Sequence, residues 1–255
     1  MSASRFIWFE LMTPDVAGAA AFYSGVVGWQ AQDSGMPGVE YTLLKVGDAG
    51  TAGMLALPAE LKAMGVPPGW RGYVAVDDVD ASEARLLELG GRVLRPASDI
   101  PGVGRFASVA DPQGADFLLF KPMPMEAPTM PAANAPGTAG WCELRALDGA
   151  AVFDFYATLF GWTRGEALDM GPMGTYQLFD IDGVPSGGVM TRDPAWPQTG
   201  WRYYFRVDSI DAAARRVASL GGTVTVGPDQ VPGGTWVLHG RDPQGVLFAL
   251  LSETK

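Results

Sequence analysis

The sequence predicts an α+β fold: four βαβββ modules arranged as two tandem domains, each with a cupped mixed sheet. The first observation is a domain-sized repeat. Trp8-Phe9-Glu10-Leu11 returns as Trp141-Cys142-Glu143-Leu144, Phe22-Tyr23 as Phe155-Tyr156, and Gly28-Trp29 as Gly161-Trp162. Trp70-Arg71 returns as Trp201-Arg202, and Asp111-Pro112-Gln113-Gly114 as Asp242-Pro243-Gln244-Gly245. A displacement held nearly constant over a domain length marks a tandem duplication. The second observation is a strand, helix, strands pattern that occurs twice in each half. The third is a proline-rich stretch beginning Lys121-Pro122-Met123-Pro124, which forbids a helix and favours an exposed connection. The predicted domains are residues 1–123 and 138–255, joined by a linker over 124–137.

The elements follow in order. Phe6 to Leu11 is β-rich and reads as a strand. Thr13-Pro14-Asp15 then offers a cap, a proline at the first helical position and an acid in the first turn. Val16, Ala19, Ala20, Tyr23 and Val27 recur at helical spacing, and Gly28 stops the helix. Tyr41 to Val46 and Ala52 to Leu57 read as strands around a Gly47-Asp48 turn. The pattern restarts with a strand over Tyr73 to Val76. Asp80 is expected to cap a helix carrying Ala84, Leu87 and Leu89, ended by Gly90-Gly91. Val93 to Arg95, Phe106 to Val109 and Phe117 to Phe120 are further strands. The modules span roughly 5–58, 69–122, 138–192 and 200–252. Each alone leaves one sheet face bare, so pairing two modules puts the helices outside and leaves a concave sheet surface as a small-molecule site.

Composition narrows the function classes. The chain is 47% hydrophobic and 18% charged, enough to bury a core in each half. No apolar run is long enough to span a bilayer. Met1 to Arg5 lacks the pattern of a secretory signal. One cysteine excludes an internal disulfide framework, so the expected location is the cytoplasm. A net charge of −10 opposes nucleic-acid binding and an anionic membrane surface. The expected partner is a small molecule, and the protein is expected to be a monomer or a homodimer.

Several motifs in combination resemble the vicinal oxygen chelate superfamily, which holds glyoxalase I, extradiol dioxygenases and the fosfomycin- and bleomycin-resistance proteins. They are Thr13-Pro14-Asp15 with Ala-Phe-Tyr and Gly-Trp, then Val76-Asp77-Asp78-Val79-Asp80-Ala81, then Gly-Gly, then Asp-Pro-Gln-Gly. The second half matches with Val207-Asp208-Ser209-Ile210-Asp211-Ala212. The resemblance covers nearly the whole chain outside the linker. It is closest to the tandem-domain group labelled glyoxalase-like or "hydroxylase" in natural-product contexts.

The resemblance implies a divalent metal held by histidine and glutamate. Position by position, the implied ligands fall on Trp8 and Trp141, on Arg71 and Arg202, on Leu118 and Ala249, and near Met54 and Met190. None of these suits a hard or borderline divalent ion, and the chain has a single histidine. The expectation is therefore no metal cofactor, with a residual carboxylate site built on Glu10 or Glu143 as the alternative.

Other groups occupy the expected cups. Trp8 and Glu10, like Trp141 and Glu143, are two apart on a strand and share a face. Arg71 and Arg202 are expected to enter the same cups, followed by Tyr73 and Tyr204. Such a pocket suits a planar ligand with a few polar groups. A desolvated Glu10 or Glu143 could act as general acid or base; a structural Glu–Arg pair is the equal alternative. His239 is the other general-base candidate, against a merely satisfied strand histidine. Cys142 points to the opposite face and is expected to be an inert buried thiol. Two functions stand: a metal-free binder of a small aromatic or natural-product-like ligand, and a glyoxalase-like lyase, isomerase or tailoring hydroxylase working through Glu10, Glu143 or His239.

Overall fold

The computed structural model describes residues 3–124, 131–194 and 199–255. Residues 125–130 of the expected linker, and Met1 and Ser2 of the stretch Met1 to Arg5, lie outside the described residues. The βαβββ module occurs four times. The first is β1 (Phe6–Thr13), α1 (Val16–Val27), β2 (Gln30–Asp33), β3 (Thr42–Val46) and β4 (Ala49–Ala56). A short α2 (Ala59–Ala63) leads into β5 (Gly69–Ala75), α3 (Val79–Glu88), β6 (Arg92–Ile100), β7 (Gly104–Ala110) and β8 (Asp116–Pro122). The third module is β9 (Ala139–Ala146), α4 (Gly149–Phe160), β10 (Thr163–Asp169), β11 (Thr175–Ile181) and β12 (Val184–Thr191). The fourth is β13 (Gly200–Arg206), α5 (Ile210–Ser219), β14 (Thr223–Gln230), β15 (Trp236–Arg241) and β16 (Leu247–Ser252). The strands of each sequence half belong to one mixed eight-stranded sheet, which makes the fold α+β as expected.

Some local expectations were corrected. Asp15 is itself the N-cap of α1, its Oδ1 accepting from the Gly18 N–H at 2.9 Å, while Thr13 is still strand. Asp78 and not Asp80 caps α3, accepting from the Ala81 N–H. A side-chain acceptor must sit two or three residues before the N–H it serves, and only these aspartates do. Leu87 is 52% exposed; the buried stripe of α3 is Val79 and Leu86. The β2 strand, Gln30–Asp33, was not anticipated, because all four residues are exposed and carry no alternating pattern.

The backbone forms two compact units that interleave the quarters. Unit I comprises Met1–Ile7, Arg71–Glu126 and Trp141–Arg202; unit II comprises Trp8–Trp70, Ala127–Gly140 and Tyr203–Lys255. Unit I thus combines modules two and three, and unit II modules one and four.

In unit II the strands run β2-β3-β4-β1 and β13-β16-β15-β14, with α1 packed on α5. Parallel β1 and β4 pair Glu10 with Gly53. Alternation then sends Phe9, Leu11, Ala52 and Met54 into the core. There they meet an aromatic cluster: Phe9 tilts on Tyr203 at 5.0 Å, Trp29 is edge-on to Phe205 at 4.8 Å, and Tyr23 is edge-on to Trp70 at 5.2 Å. In unit I the runs are β6-β7-β8-β5 and β9-β12-β11-β10. Its core holds Trp162 stacked on Phe179 at 4.3 Å and on Tyr156 at 5.5 Å.

The repeated motifs are the clasps inside each unit. In unit II, Asp242 is buried; its Oδ1 accepts from the Gln244 and Val246 N–H groups, and its Oδ2 from the Tyr23 hydroxyl at 3.2 Å. Tyr23 in turn accepts from Trp70 Nε1. Gln244 closes a two-way amide bond with the Asp15 backbone and takes the Thr13 hydroxyl. Unit I repeats this with Asp111, Tyr156, Trp201 and Gln113 on Asp148. The Asp-Pro-Gln-Gly and Phe-Tyr signatures, with Trp70 and Trp201, therefore hold quarters together inside each unit.

Candidate functional site

Alternation divides each sheet face sharply. The fully buried set beside the helices includes Val74, Phe117, Leu119 and Val109 in unit I and Leu238 and Leu250 in unit II. The opposite faces carry the chemistry-bearing side chains. On β1 these are Trp8, Glu10 and Met12; on β9 they are Trp141, Glu143 and Arg145.

In unit II, Trp8 and Glu10 are joined by a residue that the sequence reading did not single out, Tyr41. Trp8 Nε1 donates to Tyr41 Oη at 2.8 Å, and Tyr41 is also hydrogen-bonded to Glu10. Glu10 is 6% exposed. The tyrosine reaches across because β4 has Gly53 opposite Glu10: a Cβ there would stand 2.1 Å from Tyr41 Oη. Burial raises the Tyr41 hydroxyl well above its ordinary pKa; the Glu10 charge raises it further, and the Trp8 bond pulls it back.

Unit I contains the second copy. Trp141 Nε1 donates to Tyr176 Oη at 2.8 Å, and Tyr176 donates to Glu143 Oε2 at 3.3 Å. Gly188, opposite Glu143, gives the same clearance. Glu143 is ion-paired with Arg145 at 2.7 Å, both largely buried. Arg145 is a second residue missed from sequence, although its place two residues after Glu143 sets it on the same face. Its counterpart in the first half is Met12. Tyr176 is held well above its ordinary pKa by burial first and then by Glu143, with Arg145 opposing.

The remaining candidates fall as follows. Arg71 is buried in unit I, and its Nε donates to Asp116 Oδ2 at 2.7 Å. Tyr73 is buried beside it on the strand, edge-on to Phe120 at 5.6 Å. Arg202 is half-buried on β13. Tyr204 and His239, both in unit II and both buried, meet directly: Tyr204 Oη lies 2.7 Å from His239 Nε2. They share one row across the sheet, each in register with Ala249. Cys142 is buried, and burial pushes its thiol pKa far up, which agrees with an inert packing residue.

A cavity of about 550 Å³ opens against Tyr41 in unit II, lined by Val16, Met36, Val39 and Ala56, with Asp33 and Glu40 among its polar groups. Among the described residues no helix is long and apolar enough to cross a membrane.

Comparison with known proteins agrees with this architecture. A glyoxalase-like domain profile matches residues 8–120, and the glyoxalase/bleomycin resistance protein/dioxygenase superfamily profile matches residues 138–250. The chain belongs to that superfamily, in its tandem form. Among curated relatives, a putative glyoxylase, CFP32, of Mycobacterium tuberculosis is 31% identical over 96% of this chain and 93% of its own length. The anthracycline biosynthesis protein DnrV of Streptomyces peucetius is 32% identical over 96% of this chain and 91% of its own. Among solved structures, a Mn(II)-bound glyoxalase from Novosphingobium aromaticivorans has a TM-score of 0.67 at 16% identity, covering 100% of this chain and 83% of that one. An extradiol ring-cleaving dioxygenase from B. fuscum has 0.69 at 17%, covering 100% and 73%. At these identities the structures speak for the fold alone.

Proposed function

We propose that the protein binds a small planar aromatic, natural-product-like ligand and does so without a chelated metal. The observation that carries this reading is the twofold Trp–Tyr–Glu arrangement. In each copy the indole N–H and a buried carboxylate hold a tyrosine over a glycine, so the aromatic wall is set before any ligand arrives. The cavity beside Tyr41 has the volume of a small-molecule site. The name of the relative DnrV, which ties it to anthracycline biosynthesis, favours a polycyclic ligand.

The donor chemistry does not fit a divalent metal. Among the described residues no three histidine, cysteine, aspartate or glutamate side chains gather. Trp8, Arg71 and Leu118 supply no donor such an ion uses. The test is a thermal-shift and fluorescence screen of the full chain with polycyclic phenols and quinones, alongside metal analysis of the purified protein. Micromolar binding unaffected by chelator is the expected result. Stoichiometric divalent metal, lost in Glu10→Ala or Glu143→Ala, would sink the metal-free reading.

One contact favours a second reading. The Tyr204–His239 bond joins the sole histidine to a phenol, a pairing able to move a proton in a metal-free lyase, isomerase or hydroxylase. Turnover lost in His239→Gln, with ligand affinity retained, would support it.

A further inference from the structure

Arg71 is the one side chain of the candidate set whose position in unit I leaves a polar atom unanswered. The residue is 9% exposed, and its Nη1 is buried with no hydrogen-bond partner. Its Nε is held by Asp116 Oδ2 at 2.7 Å. A guanidinium is planar, so fixing one N–H also fixes the direction of the others. Tyr73 stands two residues along β5 on the same face, in register with Leu118 of β8. Phe120, two residues beyond Leu118, stands edge-on to Tyr73. A buried, charged donor without an acceptor is costly, and native proteins rarely keep one without a use. The geometry points to Arg71 as the docking group for an oxygen acceptor on the aromatic ligand: a phenolate, a carboxylate or a quinone carbonyl.

The inference rests on the aromatic-ligand reading and adds the ligand's polar half. It also separates the two sequence halves. Arg202 occupies the corresponding position on β13, where the sequence has Leu247 at the place of Asp116. The site assigned here belongs to unit I, the unit that also carries the Trp141–Tyr176–Glu143 arrangement, and Asp116 is its positioning residue. An ionised oxygen answers a guanidinium about twice as strongly as a neutral one, so the favoured ligand is a planar aromatic bearing an acidic hydroxyl or carboxyl group.

The test uses alizarin, 1,2-dihydroxyanthraquinone, whose visible spectrum reports ionisation of its phenol. Wild-type full chain is expected to bind it and lower its apparent pKa. Arg71→Gln is expected to weaken binding about tenfold or more and to abolish the spectral shift. Arg71→Lys keeps the charge and loses the fork, so it is expected to retain part of both. Asp116→Asn leaves Arg71 in place unanchored and is expected to weaken binding several-fold; with Arg71→Lys it carries the test if Arg71→Gln does not fold. Equal affinity and equal spectra in wild type and all variants would overturn the role of Arg71 and leave the aromatic-ligand reading standing. Failure of wild type to bind alizarin at all would overturn the inference, and failure of the wider aromatic screen would remove the reading beneath it.

Discussion

A carboxylate buried in a sheet needs an answering group, and the two halves answer differently. Glu143 has Arg145 on its own strand; Glu10 has Met12 at that place. Arg145→Ala is expected to cost about 3–5 kcal/mol, because it strands a buried charge. Adding Glu143→Gln in the same chain should return part of the loss, and urea unfolding of the three proteins measures both effects. Asp242 is a second test at this scale. Burial raises its pKa in the folded state, against weaker lowering by its hydrogen bonds. A raised carboxyl pKa adds stability that is fully present below the unfolded value and is lost as pH rises through the folded value. Asp242→Asn should therefore flatten the melting-temperature profile between the ordinary carboxylate pKa and the raised one. A profile unchanged by the substitution would contradict the assignment. The strand spacing made Trp8, Glu10, Trp141 and Glu143 visible as neighbours. Tyr41 and Tyr176 stayed hidden because they arrive from another strand at a distance no local pattern encodes.

At the scale of elements, the close approach of a tyrosine to the β4 and β12 backbones depends on glycine. A Cβ at Gly188 would stand 2.2 Å from the Tyr176 ring. Gly188→Ala is expected to destabilise by about 1–3 kcal/mol through overpacking and to free Tyr176 from Trp141. A crystal structure with the Trp141–Tyr176 bond intact would refute this. The helices were legible because their stop signals are unambiguous: Gly28 and Gly161 end α1 and α4 with φ of 91° and 75°. Their starts were less so. Thr13, Asp15, Asp78 and Asp80 are all competent caps by residue type, and only the three-dimensional path selects Asp15 and Asp78. The polar strand β2 escaped for another reason: with all four residues exposed, pairing with β3 and not burial defines it.

For the whole molecule, the repeat was read from sequence as two halves, yet each compact unit takes one quarter from either half. The repeated Asp, Tyr, Gln and Trp residues explain why, since Tyr23 needs Asp242 and Tyr156 needs Asp111. Tyr23→Phe should cost about 1–3 kcal/mol by leaving Asp242 Oδ2 and Trp70 Nε1 without that hydroxyl, measured as a lower urea midpoint. Residues 1–123 expressed alone should expose Phe9, Phe22 and Trp29 and self-associate; a monomeric, cooperatively melting fragment would disprove this. The nesting also has a consequence during synthesis. Like inner and outer brackets, unit I can close once Arg202 has left the ribosome, but unit II must wait for the final quarter. At about 5–20 residues per second, the first quarter stays without its partner for on the order of ten seconds or more. That interval is when its aromatic face is open to chaperones, or to a neighbouring copy's last quarter.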